Sequence, residues 1–266
     1  MMNKTSLAIF ILLFISITTL AQSKSTYTRD FKKTVDFKSN GRVEVKTING
    51  NIQLTSWDKN SVQIEAEIKV KARSRREAEK ILDKVEILID KSRDRMTIAP
   101  DYPKRHSGDS FWDWVFGSES RPVVNFTIKV PEETDPYLRS TNGRVNVTDI
   151  AGEAILKTTN GGIEAEEMKG SVDANTTNGS ISVYIIQFSD NDRIDLNTTN
   201  GSIKLTLPSD VKADVEASTV NGSIRTDFPM TVQGKILRKR LDGEINGGGG
   251  IIELSTVNGS ISIYEE

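Results

Sequence analysis

The sequence predicts an all-β chain built from stacked repeats, and three observations support this fold class. A Thr-x-Asn-Gly-x-Ile phrase, or a close variant, recurs along the chain, and such recurrence indicates that one supersecondary unit is stacked many times. Apolar and polar residues alternate on both sides of the phrase, as in strands with one buried face. Cysteine is absent, so core burial and backbone hydrogen bonds must hold the chain together without disulfides. The asparagines of the phrase are Asn49, Asn142, Asn160, Asn178, Asn200, Asn221 and Asn258.

Each repeat is predicted to contain one strand on either side of its Asn-Gly step. When the asparagine is numbered zero, apolar residues dominate positions −6 and −4, and they return at positions +3 and +5. The Asn-Gly step between the two strands is expected to supply the positive φ angles of a tight turn. Hydroxyl residues occupy position −2 on the apolar side of the first strand, and they are Thr47, Ser140, Thr158, Thr176, Thr198, Thr219 and Thr256.

Two architectures fit this pattern. In a parallel β-helix, or solenoid, each repeat forms one coil, and like residues stack from coil to coil. The asparagine spacings from Asn142 onward are 18, 18, 22, 21 and 37 residues, which suits a coil of 18–22 residues with additional residues at one corner. In the alternative, an antiparallel β-meander or sandwich, each Asn-Gly step closes a hairpin. We favour the solenoid, because matched Thr and Asn positions suit side-chain ladders, whereas a meander does not need neighbouring turns to match.

Ahead of the main repeats, which occupy residues 131–266, residues 26–130 are predicted to form a β-rich part with one helix. Ser74 and Glu77 have the spacing of a capping box. An apolar stripe follows them, so a short helix is predicted over residues 75–85. This helix is expected to cover an open end or face of the sheet, as solenoids require. Strands are expected within residues 26–54 and at residues 61–71, 86–90, 95–99 and 123–130.

A loop predicted over residues 100–122 concentrates large apolar side chains. These are Phe111, Trp112, Trp114 and Phe116. They either fold back into the core or form an exposed patch that contacts a protein, a glycan or a membrane surface. The four residues are therefore candidates for binding a partner.

The first 21 residues have the pattern of a secretory signal peptide. Lys4 precedes an apolar run over residues 7–20, and Ala21 provides a small residue for cleavage. This run is too short for a spanning helix, and no later segment is apolar enough to cross a bilayer. Export to the periplasm, the cell surface or the medium is therefore expected. The net charge of −2 gives no reason to expect nucleic-acid binding.

Few residues suitable for catalysis or metal binding are present. The only histidine is His106, and the absence of cysteine excludes Cys/His zinc sites and thiol nucleophiles. Asp190, Asp192 and Asp195 form a weak candidate for a calcium site, although the glycine and terminal glutamate of an EF-hand loop are missing. We therefore expect no catalytic residues and no cofactor.

Several motifs resemble one family of exported bacterial proteins, named "putative adhesins", whose domain has no known function. They are the Val-x-Val-x-Thr-x-Asn-Gly-x-Ile sequence at residues 43–52, Trp57-Asp58 after it, and the later Thr-x-Asn-Gly-Ser-Ile series. The resemblance covers about residues 30–264. It implies a β-helical fold at the cell envelope, and its motif carries no catalytic residue.

Three functions are compatible with these features. The first is a non-catalytic envelope or surface scaffold that contacts a protein or glycan through the aromatic loop and the ladder face near the Asn-Gly corners. The second is an enzyme that acts on polysaccharide, which rests on fold analogy alone. The third is a regulatory protein of the envelope stress response. The sequence favours the first.

Overall fold

The computed structural model describes residues 24–38, 40–102, 121–232 and 239–266. The predicted leader, His106 and the aromatic residues Phe111, Trp112, Trp114 and Phe116 lie outside these ranges. Apart from one short helix, α1 (Arg75–Leu82), the regular structure of the described residues is all strand. No helix in this part of the chain is long and apolar enough to span a bilayer.

Twenty-one strands are present in the described residues. In chain order they are β1 (Ser25–Asp36), β2 (Arg42–Lys46), β3 (Ile52–Trp57), β4 (Ser61–Ala72), β5 (Glu86–Lys91), β6 (Arg95–Asp101), β7 (Val123–Pro131), β8 (Asp135–Arg139), β9 (Val145–Thr148), β10 (Ala154–Lys157), β11 (Ile163–Lys169), β12 (Val172–Asn178), β13 (Ile181–Gln187), β14 (Arg193–Asn200), β15 (Ile203–Leu207), β16 (Ala213–Asn221), β17 (Ile224–Thr226), β18 (Met230–Val232), β19 (Arg240–Ile245), β20 (Gly250–Asn258) and β21 (Ile261–Glu265).

The strands form two large mixed sheets that enclose one hydrophobic core. Sheet A has the order β1-β4-β7-β3-β9-β11-β13-β15-β21-β17, and sheet B has the order β18-β19-β16-β20-β14-β12-β10-β8-β2-β6-β5. Alternate residues of the repeat strands are buried in both sheets, as expected for strands with one face on a core. Each large aliphatic side chain in that core contributes roughly 1.5–3 kcal/mol through removal from water.

The two strands of each repeat lie in different sheets. The strand before each Asn-Gly step belongs to sheet B, and the strand after it belongs to sheet A. The flanking strands therefore do not pair with each other as Asn-Gly hairpins. Each instead pairs in parallel with the same strand of a neighbouring repeat, so that Val172 lies beside Ile194 and Ile181 beside Ile203. We call the two strands that flank one repeat asparagine a rung, named by that asparagine.

The rungs do not follow one another in chain order at the C-terminal end. Strand β20 pairs with both β14 and β16, and β21 pairs with both β15 and β17. The Asn258 rung therefore lies between the Asn200 and Asn221 rungs. The expectation that the 37-residue spacing reflects extra residues at a corner is wrong, because that stretch contains β18 and β19, which add antiparallel strands outside β16.

The N-terminal strands continue the same two sheets. Strands β2 and β3 pair in parallel with β8 and β9, so both sheets run without a break past residue 130. Strands β6 and β7 pair in parallel with β2 and β3 on the other side, and they extend both sheets without an Asn-Gly step between them. The antiparallel strands β5, β4 and β1 complete this end.

Helix α1 begins where its cap was predicted and ends three residues early, at Leu82. The Ser74 hydroxyl oxygen accepts a hydrogen bond from the backbone N–H of Glu77 at 3.3 Å. The Glu77 carboxylate accepts from the N–H of Arg73, one residue before the position expected in a capping box. Ala78 and Leu82 are buried in the core, so the helix packs its apolar stripe against the N-terminal end of the sheets.

Candidate functional site

A continuous ladder of asparagine side chains runs along the edge where the chain passes from sheet B to sheet A. Each side-chain amide nitrogen donates to the amide oxygen of the asparagine on the neighbouring rung, at 2.7–2.9 Å. The order along the ladder is Asn49, Asn142, Asn160, Asn178, Asn200, Asn258 and Asn221. The structure thus brings all seven repeat asparagines together, although they are far apart in the chain.

The hydroxyl residues at position −2 form a second, buried ladder behind the asparagines. Each hydroxyl donates to the carbonyl oxygen of the position +1 glycine on the adjacent rung, as Thr158 does to Gly143 and Thr176 to Gly161, both at 2.9 Å. The donors in this ladder are Ser140, Thr158, Thr176, Thr198, Thr219 and Thr256. A buried hydroxyl is costly unless it is paired, so these contacts explain why position −2 accepts a polar residue.

The glycine of the Asn-Gly step is required by close packing between rungs. Among the seven repeat glycines only Gly50 has a positive φ, of 137°, so the expectation of positive φ angles at these steps is wrong for the others. A Cβ added at Gly179 would lie 1.9 Å from the carbonyl oxygen of Gly161, and one added at Gly161 would lie 2.1 Å from that of Gly143. Only glycine lets the backbones of neighbouring rungs approach this closely.

Serines at position +2 extend the corner, and sequence reasoning missed them. The Ser180 hydroxyl accepts from the N–H of Ser202, and the Ser202 hydroxyl accepts from the N–H of Ser260. Ser223 and Ser260 continue the series with their hydroxyls 3.3 Å apart. The recurrence of serine after the glycine in the later repeats was the available signal.

An open groove lies on the outer face of sheet B, beside the asparagine ladder. Between its two walls lie the position −2 residues Ser140, Thr158, Thr176 and Thr198, whose hydroxyls are buried and bonded to glycine carbonyls. Tyr137 completes the lining at one end. One wall consists of position −3 residues, which are Arg139, Lys157, Asn175, Asn197 and Ser255. The other consists of position −1 residues, which are Thr159, Thr177, Thr199 and Val257. The groove therefore runs across five neighbouring rungs, parallel to the asparagine ladder.

Charge is distributed unevenly along this groove. Arg139 and Lys157 are cationic and lie on the two rungs at one end, whereas the lining of the other end is neutral. Asn175 and Asn197 each donate to the aspartate two residues earlier on the same strand, Asp173 and Asp195. Lys157 lies 3.5 Å from Asp173. Arg139 is exposed, so its guanidinium is available to an anionic group.

The chain leaves and re-enters the described structure at the same edge. Ile98 lies beside Val45 in parallel register, and the Tyr102 hydroxyl is 3.5 Å from the Thr47 hydroxyl. Burial raises the pKa of the Tyr102 phenol. On the return, the N–H of Val124 donates to the carbonyl of Asn49 at 2.8 Å. Strand β6 thus ends, and β7 begins, at the edge that carries the asparagine ladder.

The three aspartates of the candidate calcium site have separate roles. Asp192 accepts from the N–H of Ser189 at 2.7 Å and closes the turn before β14, whereas Asp195 lies on the outer face of sheet B and accepts from Asn197. Asp190 is close to Gly249 on the neighbouring connection. Within the described ranges, no three carboxylate, imidazole or thiol groups gather closely enough to hold a metal ion.

One charged cluster occurs at the opposite corner, between β9 and β10. The Ser56 hydroxyl donates to Asp149, and Lys169 bonds both Glu132 and Asp149. The hydrogen bond from Ser56, with help from Lys169, lowers the pKa of Asp149. The bonds to Glu132 and Asp149 raise the pKa of Lys169. Both shifts favour the charged forms, which is the direction opposite to that of a carboxylic acid or neutral amine poised for proton transfer near neutral pH.

Comparison with known proteins supports an assignment at the level of the fold. A family model described as Toastrack DUF4097 matches residues 124–264. A structure named as a putative cell adhesion protein from Clostridium sporogenes is 13% identical, with 90% of this chain and all of that chain covered and a TM-score of 0.54. The likeness shows a shared fold.

Two further structures match with lower TM-scores. One is named as a putative adhesin from Bacteroides fragilis, with 14% identity, coverage of 92% of this chain and 99% of that chain, and a TM-score of 0.26. The other is named as a putative lipid binding protein from Parabacteroides distasonis, with 13% identity, coverage of 89% and 96%, and a TM-score of 0.34. No curated protein matches the chain.

Proposed function

This chain belongs to the Toastrack DUF4097 family, and we propose that it is a non-catalytic scaffold of the bacterial cell envelope or surface. In this proposal the rungs wind as a β-solenoid, and the asparagine edge with its groove contacts a partner. The name of the Clostridium sporogenes structure as a cell adhesion protein is consistent with such a role. The signal-peptide pattern of residues 1–21 supports export.

The observation that carries this proposal is the rigid polar face beside the asparagine ladder. The strands beneath it are paired in parallel with their neighbours, and the hydroxyl and asparagine ladders join the same rungs, so the groove exists before a partner arrives. A preformed surface loses little conformational entropy on binding. The position −1 threonines project from this fixed base and are exposed.

The same groove argues against the polysaccharide-acting enzyme. Glycoside hydrolysis commonly requires two carboxyl groups that flank the scissile bond. The residues that line the groove include no carboxylate, and Asp173 and Asp195 beside it each accept a hydrogen bond from an asparagine of their own strand. The charged cluster at Asp149 and Lys169 lies at the opposite corner, and both of its pKa shifts oppose acid–base catalysis. A binding role requires neither a pair of carboxyl groups in the groove nor a group whose pKa suits proton transfer.

The proposal is tested by blocking the groove and measuring binding to whole envelope fractions, so the chemical class of the partner need not be known. Purified protein is mixed with envelope fractions, and the bound amount is measured for the wild type and for Thr177→Lys, which places a long side chain in the middle of the groove. Thr127→Lys is the matched control, because Thr127 is an exposed threonine on the outer face of sheet A. We expect binding by the wild type and the control and loss of binding by Thr177→Lys. Equal binding by both variants would remove the groove from the proposal.

The aromatic residues are tested in the same assay. Trp112→Ala and Trp114→Ala are expected to weaken capture of the partner, because the aromatic loop is the second candidate contact. Retained binding by these variants would confine the contact to the groove.

A further inference from the structure

We infer that the groove on sheet B binds a linear glycan strand that lies parallel to the asparagine ladder, with an anionic group of the glycan at Arg139. This inference rests on the proposed binding role and assigns its ligand class. The groove crosses five rungs, so it spans about 19 Å, from four strand-to-strand spacings. This length suits an extended polymer better than a compact ligand.

The groove presents hydrogen-bonding groups that repeat along its length. Thr159, Thr177 and Thr199 are exposed at equivalent positions of successive rungs, and Asn175 and Asn197 repeat on the opposite wall. The three threonine hydroxyls take part in no hydrogen bond among the described residues, so they are free to contact a ligand. A glycan repeats hydroxyl groups along its chain and therefore offers both donors and acceptors to such a wall.

A peptide ligand fits the same groove poorly. An extended peptide usually binds by adding a strand to a free sheet edge, but the groove lies on a sheet face whose strands are paired on both sides from β8 to β20. A helical peptide needs an apolar groove, and Val257 and Tyr137 are the only aliphatic or aromatic residues in the lining. The lining therefore favours a polyhydroxylated chain.

The cationic end of the groove, at Arg139, determines which way the glycan chain runs. Arg139 makes no ion pair within the described residues, whereas Lys157 lies near Asp173. Asp173 and Asp195 flank the middle of the groove, so a polymer with many negative charges would be repelled there. A mostly neutral glycan with one acidic group at Arg139 avoids repulsion by the two aspartates and places its charge beside the cation. A guanidinium binds a carboxylate through two parallel hydrogen bonds.

The test removes hydroxyls without filling the groove. The combined variant Thr159→Val, Thr177→Val and Thr199→Val keeps the shape and the strand preference of threonine. Its matched control replaces three outward threonines of sheet A, Thr55, Thr148 and Thr206, with valine. Both are compared with the wild type by affinity electrophoresis through gels that contain hydroxyethylcellulose, laminarin, alginate or hyaluronan.

At least one of these polysaccharides is expected to retard the wild type and the control variant equally. The groove variant should bind it about tenfold more weakly or worse, because up to three hydrogen bonds to the ligand are lost. Arg139→Gln should weaken binding to hyaluronan, in which only every second sugar carries a carboxylate, about tenfold and leave the neutral polysaccharides unchanged. Alginate carries a carboxylate on every sugar and should retard the wild type least, because Asp173 and Asp195 repel it. Retardation by none of the four, or equal retardation of the groove variant, would overturn the glycan assignment.

Failure of the glycan assignment is distinguishable from failure of the binding role. If Thr177→Lys abolishes envelope binding while the three-valine variant binds as well as the wild type, the groove has a partner that is not held through these hydroxyls. Loss of envelope binding after protease treatment of the fractions would then identify a protein partner. If neither variant changes envelope binding, both the binding role of the groove and the glycan assignment are contradicted.

Discussion

At the scale of single residues, the threonine, the asparagine and the glycine of the repeat motif each make one specific contact. The threonine hydroxyl caps a glycine carbonyl, the asparagine amide joins the ladder, and the missing glycine side chain lets that carbonyl approach. Each contact is made with the neighbouring rung and not within the same repeat. The phrase is therefore preserved along the chain because each rung must fit the next.

Replacing a ladder glycine is expected to destabilise the fold much more than replacing the glycine beside it. In Gly161→Ala the new Cβ would lie 2.1 Å from the carbonyl oxygen of Gly143, so the rungs must separate. We expect a loss of about 1–3 kcal/mol in the free energy of unfolding, as for overpacked interiors. In Gly162→Ala the nearest atom is the carbonyl oxygen of Ser180 at 3.2 Å, and we expect a change within about 1 kcal/mol. Urea unfolding of both variants measures the difference, and equal losses would contradict the steric explanation.

The sequence identified these residues but not the reason for the glycine. Asn-Gly is typical of tight turns with positive φ, and the single-repeat pattern offers no other explanation. The distance between Gly161 and Gly143 is a property of two stacked rungs, which no local pattern reports. The groove residues of positions −3 and −1 were hidden for a related reason, since a column across rungs is visible only when the register is known.

At the scale of elements, the corner between β9 and β10 is held by ionic contacts. Asp149 has a positive φ of 56°, which is uncommon for a residue other than glycine. Its carboxylate accepts from Ser56 on β3 and from Lys169 on β11, so one side chain ties together three neighbouring rungs. The side chain of Asp149 is 39% exposed, so solvent screens part of this interaction.

The contribution of Asp149 to stability is expected to disappear at acid pH. Its folded pKa lies below the ordinary value of 3.8, so the contribution is present above 3.8 and is lost as pH falls through the folded value. Asp149→Asn keeps a residue that tolerates positive φ and removes the charge. We expect the wild type to have the higher Tm above about pH 5, and the gap to narrow as the pH falls below 4. Thermal unfolding from acid to neutral pH measures this gap.

Lys169 provides the opposite dependence and serves as a check. Its pKa is raised above 10.5, so its contribution is present below that value and is lost as the pH rises through the folded pKa. The difference in Tm between the wild type and Lys169→Gln should therefore stay constant through neutral pH and narrow in strong alkali. It should also narrow in acid, where Asp149 loses the charge that Lys169 contacts. If the Tm difference between the wild type and either variant grew as the pH fell, the stabilising role of the ionic contacts at Asp149 would be contradicted.

At the scale of the whole molecule, the order of the rungs is the feature that the sequence could not provide. The strands of the repeats follow from periodicity, and the helix cap at Ser74 follows from its spacing to Glu77, so both were predicted, whereas β18 and β19 were not. The rungs, however, carry nearly the same columns of side chains, so these columns do not specify which rung lies beside which. The long connection through β18 and β19 decides that the Asn258 rung enters between the Asn200 and Asn221 rungs.

This order predicts that β20 and β21, the last strands of the chain, are needed to hold together the strands on either side of them. A chain that ends at Gly249 lacks β20 and β21, so β14 and β16 lose the partner that lies between them. We expect hydrogen exchange to become fast in β16 and β17 and to remain slow in β10 to β13, whose neighbours are intact. The synthetic peptide of residues 250–266 should restore slow exchange when added, because both of its strands find parallel partners on either side.

A peptide that carries Gly259→Val provides the control for this complementation. The Cβ at position 259 would lie 2.0 Å from the carbonyl oxygen of Gly201, so this peptide should not restore slow exchange. If the shortened chain keeps β16 and β17 protected without any peptide, then the Asn200 and Asn221 rungs close directly on each other. In that case the inserted rung is an addition to a stack that is already complete, because the matched columns of side chains would then suffice to pair β14 with β16.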